Sequence, residues 1–453
     1  MGAAAPVFSK LRPRSGEALD PITPPRRRAV RSHGAPRTGK CGNAAWLSTT
    51  RKPVRRCTVG SVASVLACAV TGIISIADWG VRRSTNVVVH GSRRCASTRI
   101  VITGASGNVG TALLRKLIAA EPAHELVGIA RRRPPPAGVY RRVQWHQIDI
   151  ADHGAVTTLQ RVFRKADCVV HLAWGFQPTR NTRYLDAVAI NGSNAVLMAA
   201  HAAHVGHLVH MSSVGAYSPG RYGCHVDEWW PTEGLASSAY GRAKAAVEAM
   251  LDDYEHRGDG LPVARIRPAL IVQHDAAESL RRYAFPAYID PRWLRLLPVL
   301  PLDRALCIPL VHADDVAEAC VRVIECRAVG PFNVSAEPPL RREDIARLLG
   351  AVPMHLPSRV LRPLVHLSWQ ARLQPVDPGW LDLAFSVPLL NCDRAREALG
   401  WCPQRSSLQA LADVARGFLD HEGTPSPVLC HRSLVDSVWR EFSDGPITTR
   451  RVP

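Results

Sequence analysis

None of the 12 cysteines in this 453-residue chain stands in a CxxC pair, and they are scattered along its length. Structural zinc sites and small disulfide scaffolds need closely spaced cysteines, so neither is expected. Cys168 begins an apolar strand pattern, and Cys320 and Cys326 lie in a helical one, where a thiol serves as a small buried hydrophobe. No internal repeat is visible, which excludes a solenoid. His201, His204, His207 and His210 recur every third residue, yet the run crosses a helix-to-strand boundary and cannot share one face, so no metal is expected. The formal charge of +19 would ordinarily suggest nucleic acid. However, the chain has neither aromatic residues interleaved with the basic ones nor a groove-reading motif, and no nucleic-acid partner is expected. The basic excess is also local. Residues 1–95 hold 17 Lys and Arg against 3 Asp and Glu (+14), which leaves 40 against 35 (+5) for the remainder.

That basic extension has two parts. Met1–Arg56 is rich in Arg, Pro, Ser and Gly and lacks apolar periodicity, so it reads as disordered. Thr58–Ala77 is uncharged, about long enough to cross a bilayer, and follows Arg51, Lys52, Arg55 and Arg56 as a cytoplasmic flank would. A membrane anchor at 58–77, a cleaved targeting segment and a dispensable tail all stay open. A cytoplasmic location is expected unless the run anchors the chain.

The richest stretch is Arg99–Gly110, RIVITGASGNVG, an apolar strand running into Gly104, Gly107 and Gly110. The first glycine allows a tight turn, the second lets backbone approach a pyrophosphate, and the third lets the following helix, Thr111–Ala120, pack closely. Helix amides and the helix dipole then hold the phosphates. Further on, Tyr240-Gly241-Arg242-Ala243-Lys244 places a phenol and an ammonium on one helix face. A cation beside a phenol favours phenolate, which suits a general acid/base. Only six lysines stand against 51 arginines, so a lysine at this offset is informative. The buried-strand pattern His207–Ser212 ends in Ser212-Ser213-Val214-Gly215-Ala216-Tyr217, where a serine could bond a substrate oxygen.

Through the body, strand and helix alternate. Strands are expected at Ile100–Thr103, Leu126–Ala130, Val143–Ile148, Cys168–Leu172, His207–Ser212 and Val263–Val272, and helices at Thr182–His204 and Ala239–Tyr254. This is the pattern of an α/β fold with a Rossmann-type, doubly wound parallel sheet. Its nucleotide-binding domain is placed at 98–272, with 307–325 returning to it. The smaller substrate-binding part falls at 273–306 and 330–419, and 420–453 forms a tail with a loop at His421–Pro427 and a short helix at Ser433–Phe442.

With glycine turn, strand-end serine and YxxxK in this order, the chain from about Thr98 to Gly417 resembles the extended short-chain dehydrogenase/reductases, specifically the NAD-dependent epimerase/dehydratase family. The resemblance implies an NAD(P) site built by Gly104, Ser106, Gly107, Asn108, Val109 and Gly110. Asp149, with Ile150 beside it, and Asp152 stand at the family's adenine-side acidic positions, and Leu172 and Ala173 of His171-Leu172-Ala173-Trp174 pass the nicotinamide ribose. Asn191 matches the family's helix asparagine, Arg265–Val272 the strand whose Arg267-Pro268 lies beside the nicotinamide, His312-Ala313-Asp314-Asp315 an HxxD turn, and Leu399-Gly400-Trp401 with Pro403 the usual ending. It further implies a catalytic Ser213 that polarises the substrate oxygen, Tyr240 that transfers the proton, and Lys244 that lowers the tyrosine pKa and holds the ribose. Tyr217 and Tyr222 are read as packing or substrate wall, and Asp227–Pro231 as either a loop near substrate or a solvated turn.

The implied partners are a small-molecule substrate and, as an open alternative, a second copy of the chain. Dehydratases of the family carry an Asp-Glu pair right after the strand-end hydroxyl residue, where this chain has Val214 and Gly215. Nucleotide-sugar epimerases end the Arg-x-x strand differently from Ala269–Gln273 here. An NAD(P)-dependent oxidoreductase is therefore favoured, with an epimerase or a non-catalytic cofactor-binding regulator as alternatives. At the end of Leu126–Ala130 an acidic residue would select NAD by bonding the ribose hydroxyls. Arg131, Arg132 and Arg133 stand there instead. A guanidinium would pair with a 2′-phosphate, so NADP is favoured over NAD; a merely solvated turn before Pro134–Pro136 is the alternative.

Overall fold

The computed structural model describes residues 97–120, 123–175, 182–258, 260–284, 291–371, 373–420 and 423–431. The chain divides into two compact units, Met1–Val87 and Val88–Pro453. All that follows concerns the second. The run Thr58–Ala77 and the expected helix Ser433–Phe442 lie outside the described residues. Among the described residues, no helix is long and apolar enough to cross a membrane.

Strands β1 (Arg99–Thr103), β2 (Glu125–Ala130), β3 (Gln144–Gln147), β4 (Cys168–His171) and β5 (Leu208–Met211) join Val263–Pro268 and Gly330–Val334 in one seven-stranded sheet. The order is Gly330–Val334, Val263–Pro268, β5, β4, β1, β2, β3, and every pairing is parallel. Successive side chains of β1 serve opposite cores. Ile100 and Ile102 pack with Leu113, Leu117 and Ile266 on one face, and Val101 packs with Val127, Phe163 and Leu251 on the other. A strand covered on both faces must be apolar at every position, which is why RIVIT shows no alternation.

Helix α1 (Asn108–Ala119) begins three residues earlier than the apolar pattern suggests, because the glycine turn itself supplies its first turn. Helix α2 (Ala155–Phe163), between β3 and β4, is absent from the sequence expectation. The expected helix Thr182–His204 forms as Arg183–Ala202 with a π-helical turn at Ala187–Asn191.

The expected single strand Val263–Val272 is two strands in two sheets. Pro268 has no amide to donate, the Ala269 amide turns to the Val334 carbonyl (2.9 Å), and Leu270–Val272 then pairs with Cys307–His312 in a three-stranded sheet completed by Ala336–Arg341. Gly330–Val334, assigned from sequence to the smaller part, is the edge strand of the main sheet. The region beyond it holds a small parallel sheet of Val299–Leu302 with Val352–His355 and the helices Arg342–Leu349, Ser358–Gln370 and Pro378–Ala384. The start of the C-terminal tail is ordered on the body: Ser426 is fully buried and its hydroxyl donates to the Ser106 carbonyl in the glycine turn (2.6 Å).

Candidate active site

The glycine turn has the shape its residues call for. Gly104 adopts φ +72°, and a Cβ there would lie 2.7 Å from the Ala173 amide nitrogen; one on Gly110 would lie 2.5 Å from the Gly104 carbonyl. Both approaches require glycine. They press the turn against the end of β4, so Gly104 and Leu172–Ala173 form one cradle. Val109 and Ile150 are buried beneath it. Asn108 opens α1 and is tied to the second sheet, its amide donating to the Ile271 carbonyl (3.3 Å) and accepting from Gln273 (2.7 Å).

At the end of β2 three groups, two expected and one not, meet. Arg131, at the end of β2, donates to the Tyr184 hydroxyl, which in turn donates to Asp149 Oδ2 (2.7 Å), and the guanidinium lies over the Tyr184 ring (5.3 Å). Burial pushes the Tyr184 phenol up to about 12, with its bond to Asp149 adding to the effect. Tyr184 was not foreseen; only its place in the helix after β4 could have suggested it. Asp149 also caps its own turn by accepting the Ala151 amide (3.0 Å), whereas Asn191 is exposed.

The Ser-Tyr-Lys constellation assembles where strand and helix ends converge. Ser213 caps the short 3₁₀ turn Val214–Ala216, and its Oγ accepts the Gly215 amide (3.0 Å), which leaves its proton for the Tyr240 oxygen. Burial pushes the Tyr240 phenol up to about 12, and the bond to Ser213 works against it. Ser238 caps the Tyr240 helix (Ala239–His256) by accepting the Gly241 amide (3.2 Å). Lys244 is buried one turn on; its Nζ donates to the Met211 carbonyl (2.9 Å) and lies 3.4 Å from the centre of the Trp174 ring, against 5.9 Å for Tyr240. Burial lowers the Lys244 pKa to about 7, opposed by Glu248. The expected lowering of the tyrosine pKa by Lys244 is not part of this geometry, because the ammonium is turned to backbone and indole.

Beneath Lys244 lies a cluster that sequence reading missed. Glu248, fully buried, accepts from Arg265 (3.0 Å), twice from Arg267 (2.8 Å each) and from the Ser212 hydroxyl. Burial alone would raise its pKa, but the Arg267 bonds outweigh it and hold the carboxyl down at about 2. Arg267 also donates to the Glu228 carbonyl (2.7 Å) and the Tyr217 hydroxyl (3.1 Å). The Arg267 side chain, expected beside the nicotinamide, therefore turns into the core, and only the Arg267-Pro268 backbone remains for that role. The signal existed: 244 and 248 repeat at helix spacing, 265 and 267 at strand spacing, so the two stripes can face each other.

Other readings resolve into structure. Glu228 accepts the Asn333 amide (2.9 Å) and so locks the Asp227–Pro231 loop to the sheet edge, while Trp229 is exposed. Tyr217 donates to Asn333 (2.7 Å), and Tyr222 to the Cys307 and Ala384 carbonyls (3.0 Å each). His312 caps the helix Ala313–Cys326, Asp315 accepts the Gln404 amide (2.9 Å), and the Trp401 indole donates to the Asp315 carbonyl (2.9 Å). The HxxD turn thus anchors the C-terminal ending. His201, His207 and His210 go separately to Tyr254, the Ala328 carbonyl and the His171 ring. Cys168 and Cys320 are buried, but Cys326, expected to be so, is exposed.

A family model described as "NAD dependent epimerase/dehydratase family" matches residues 100–335. An uncharacterized protein of Sinorhizobium fredii, y4nG, is 22% identical over 330 residues, which cover 69% of this chain and 77% of that protein. Among solved structures, UDP-glucose-4-epimerase from Stenotrophomonas maltophila with bound NAD is 20% identical, with a TM-score of 0.55 over 71% of this chain and 98% of that one. The terminal R domain of the myxalamid PKS-NRPS pathway is 17% identical, with a TM-score of 0.56 over 74% of this chain and 93% of that one.

Proposed function

The chain belongs to the NAD dependent epimerase/dehydratase family, a family of enzymes, and from that premise we propose that it is an NAD(P)-dependent oxidoreductase exchanging hydride with a carbonyl or alcohol substrate. The dinucleotide would lie on Gly104, Ser106, Gly107 and Gly110, with Leu172, Ala173 and the Arg267-Pro268 backbone at its nicotinamide end. It supplies the hydride acceptor or donor. Tyr240 moves the proton on the substrate oxygen, Ser213 bonds that oxygen, and Lys244, swung from the Met211 carbonyl, holds the ribose.

One observation favours this chemistry over dehydration. A Cβ on Gly215 would lie 2.9 Å from Tyr240 Cε1, and Val214 beside it is buried, so the Tyr240 ring occupies the room that an acidic pair after Ser213 would need. An epimerase uses the same three groups and is the second reading. Incubating the protein with reduced cofactor and either carbonyl compounds or UDP-glucose, and following nicotinamide absorbance and sugar identity, separates the two: a reductase consumes reduced cofactor, whereas an epimerase converts the sugar and returns the cofactor unchanged. If none of the carbonyl compounds consumes reduced cofactor while the sugar is epimerised, the proposal is overturned.

Cofactor choice follows from Arg131. Its guanidinium stands at the end of β2, and among the described residues its partner is a phenol, so it can exchange Tyr184 for a ribose 2′-phosphate and gain a charge-assisted pair. We therefore favour NADP(H) over NAD(H).

A further inference from the structure

We propose that the substrate is a flat, largely apolar carbonyl or alcohol, aryl or conjugated, seated on an aromatic wall that Trp380 and Trp174 form on either side of Tyr240. This deepens the oxidoreductase reading and rests on it. The Trp380 ring lies 5.2 Å from that of Tyr240 at a tilt of 34°, and Trp174 meets it edge-on at 6.0 Å. All three rings are half-buried. A tryptophan used only for packing looks different here: Trp401 is 1% exposed.

The placement of Trp380 is built rather than incidental. Asp377 caps the helix Pro378–Ala384 by accepting the Gly379 amide (2.7 Å), and a Cβ on Gly379 would lie 2.6 Å from the Ser237 carbonyl. Only glycine lets the start of this helix rest on the start of the Tyr240 helix, and the next residue is Trp380. Arg362 fixes the same helix to its neighbour through both oxygens of Asp382 (2.7 and 3.0 Å). The electrostatics match an apolar guest. Among the described residues, Arg265 and Arg267 are buried against Glu248 and so offer no free charge to a diphosphate. Aromatic faces reward offset or edge contact with another π system.

The test is equilibrium binding to the full-length protein saturated with NADPH, with which an alcohol cannot react, read by ligand-observed NMR with cinnamyl alcohol, isobutanol and UDP-glucose as probes. We expect cinnamyl alcohol to bind, UDP-glucose not to displace it, and Trp380→Ala to weaken it about tenfold, a change of one decade in Kd. Trp380→Phe should restore most of the affinity, and isobutanol should respond little to either change. Trp380→Leu, which keeps bulk without an aromatic face, gives the same expected loss if the alanine variant does not fold. Failure of cinnamyl alcohol to bind, its displacement by UDP-glucose, or an equal loss for isobutanol overturns the inference. Carbonyl reduction without aryl preference removes this inference alone, whereas sugar epimerisation with no carbonyl reduction removes the oxidoreductase reading as well.

Discussion

Glu248 and Lys244 sit one helical turn apart in the same buried layer, and their environments push them in opposite ways. Two guanidiniums hold the Glu248 carboxylate charged at a pKa of about 2 against an ordinary 4.5. A depressed carboxylate adds stability that is whole above the ordinary value and is lost as pH falls from about 4.5 through about 2. Glu248→Gln leaves Arg267 buried without its anion, while Arg265 keeps Asp252 and Glu255, and a broken buried pair costs on the order of 3–5 kcal/mol. Urea midpoints measured across acid pH should show that loss near neutrality and a flatter acid limb; an unchanged midpoint at pH 7 contradicts the role assigned to Glu248. For Lys244 the slope has the same sign, although here it is the neutral form that burial favours. Its folded pKa of about 7 lies below the ordinary 10.5, so the unfolded chain holds more protons in that window and stability rises with pH across it.

Chemistry at this scale is tested by Tyr240→Phe and Lys244→Ala. Removing a positioned acid or base typically lowers turnover on the order of 10²-fold or more. Both variants should lose turnover, but Tyr240→Phe should keep near-native cofactor binding, since the phenol acts on the substrate oxygen whereas the lysine also holds the ribose. Near-native turnover in Tyr240→Phe contradicts the assignment. At the other end of the cofactor, the dissociation constants of NADP(H) and NAD(H) should favour the former, and Arg131→Ala should erase the difference. A preference untouched by that change would place selection elsewhere. The motif residues of this site could be read one by one in the sequence because each obeys a local rule: glycine for a tight turn, i and i+4 for a shared helix face. Glu248 and Tyr184 obey no such rule in isolation. Their partners are contributed by a strand 17 residues away and by the turn after β3, 35 residues away, and only the folded sheet brings them together.

Among elements, those with both faces buried were the most legible, since β1 and β2 carry the unbroken apolar runs 100–102 and 126–130. Helix α2 escaped notice although Ala155, Leu159, Val162 and Phe163 are its buried stripe, because Val156, Thr157 and Thr158 form a β-branched run inside it. The split of Val263–Val272 was hidden for the converse reason: apolarity continues through Pro268 while hydrogen bonding changes sheets. The turn joining β1 to α1 is the element on which most depends. Gly104→Ala imposes a side chain at φ +72° and a Cβ 2.7 Å from the Ala173 nitrogen, so the turn must part from β4. We expect loss of measurable NADP(H) binding and a lowered Tm; calorimetric titration with near-native affinity would show that the cradle is not where the dinucleotide lies.

At the scale of the whole molecule the charge is divided unevenly along the chain. The family match begins at residue 100 and the first strand among the described residues at Arg99. Residues 1–95 carry +14 of the +19, while the remainder, at +5, holds every residue assigned to binding or chemistry. A charge so placed acts on what the protein meets rather than on how its sheet folds, since net charge bears on association and not on architecture. Deleting Met1–Arg94 should therefore leave a folded, cofactor-binding enzyme with the turnover of the full chain and a more acidic isoelectric point. Circular dichroism and NADP(H) titration of the truncated protein check the first part; an insoluble or non-binding product would make the extension part of the fold. Fractionation checks the second. If the full chain sediments with membranes and the truncated one does not, the uncharged run Thr58–Ala77 with its basic flank is an anchor, and if both stay in the supernatant it is not.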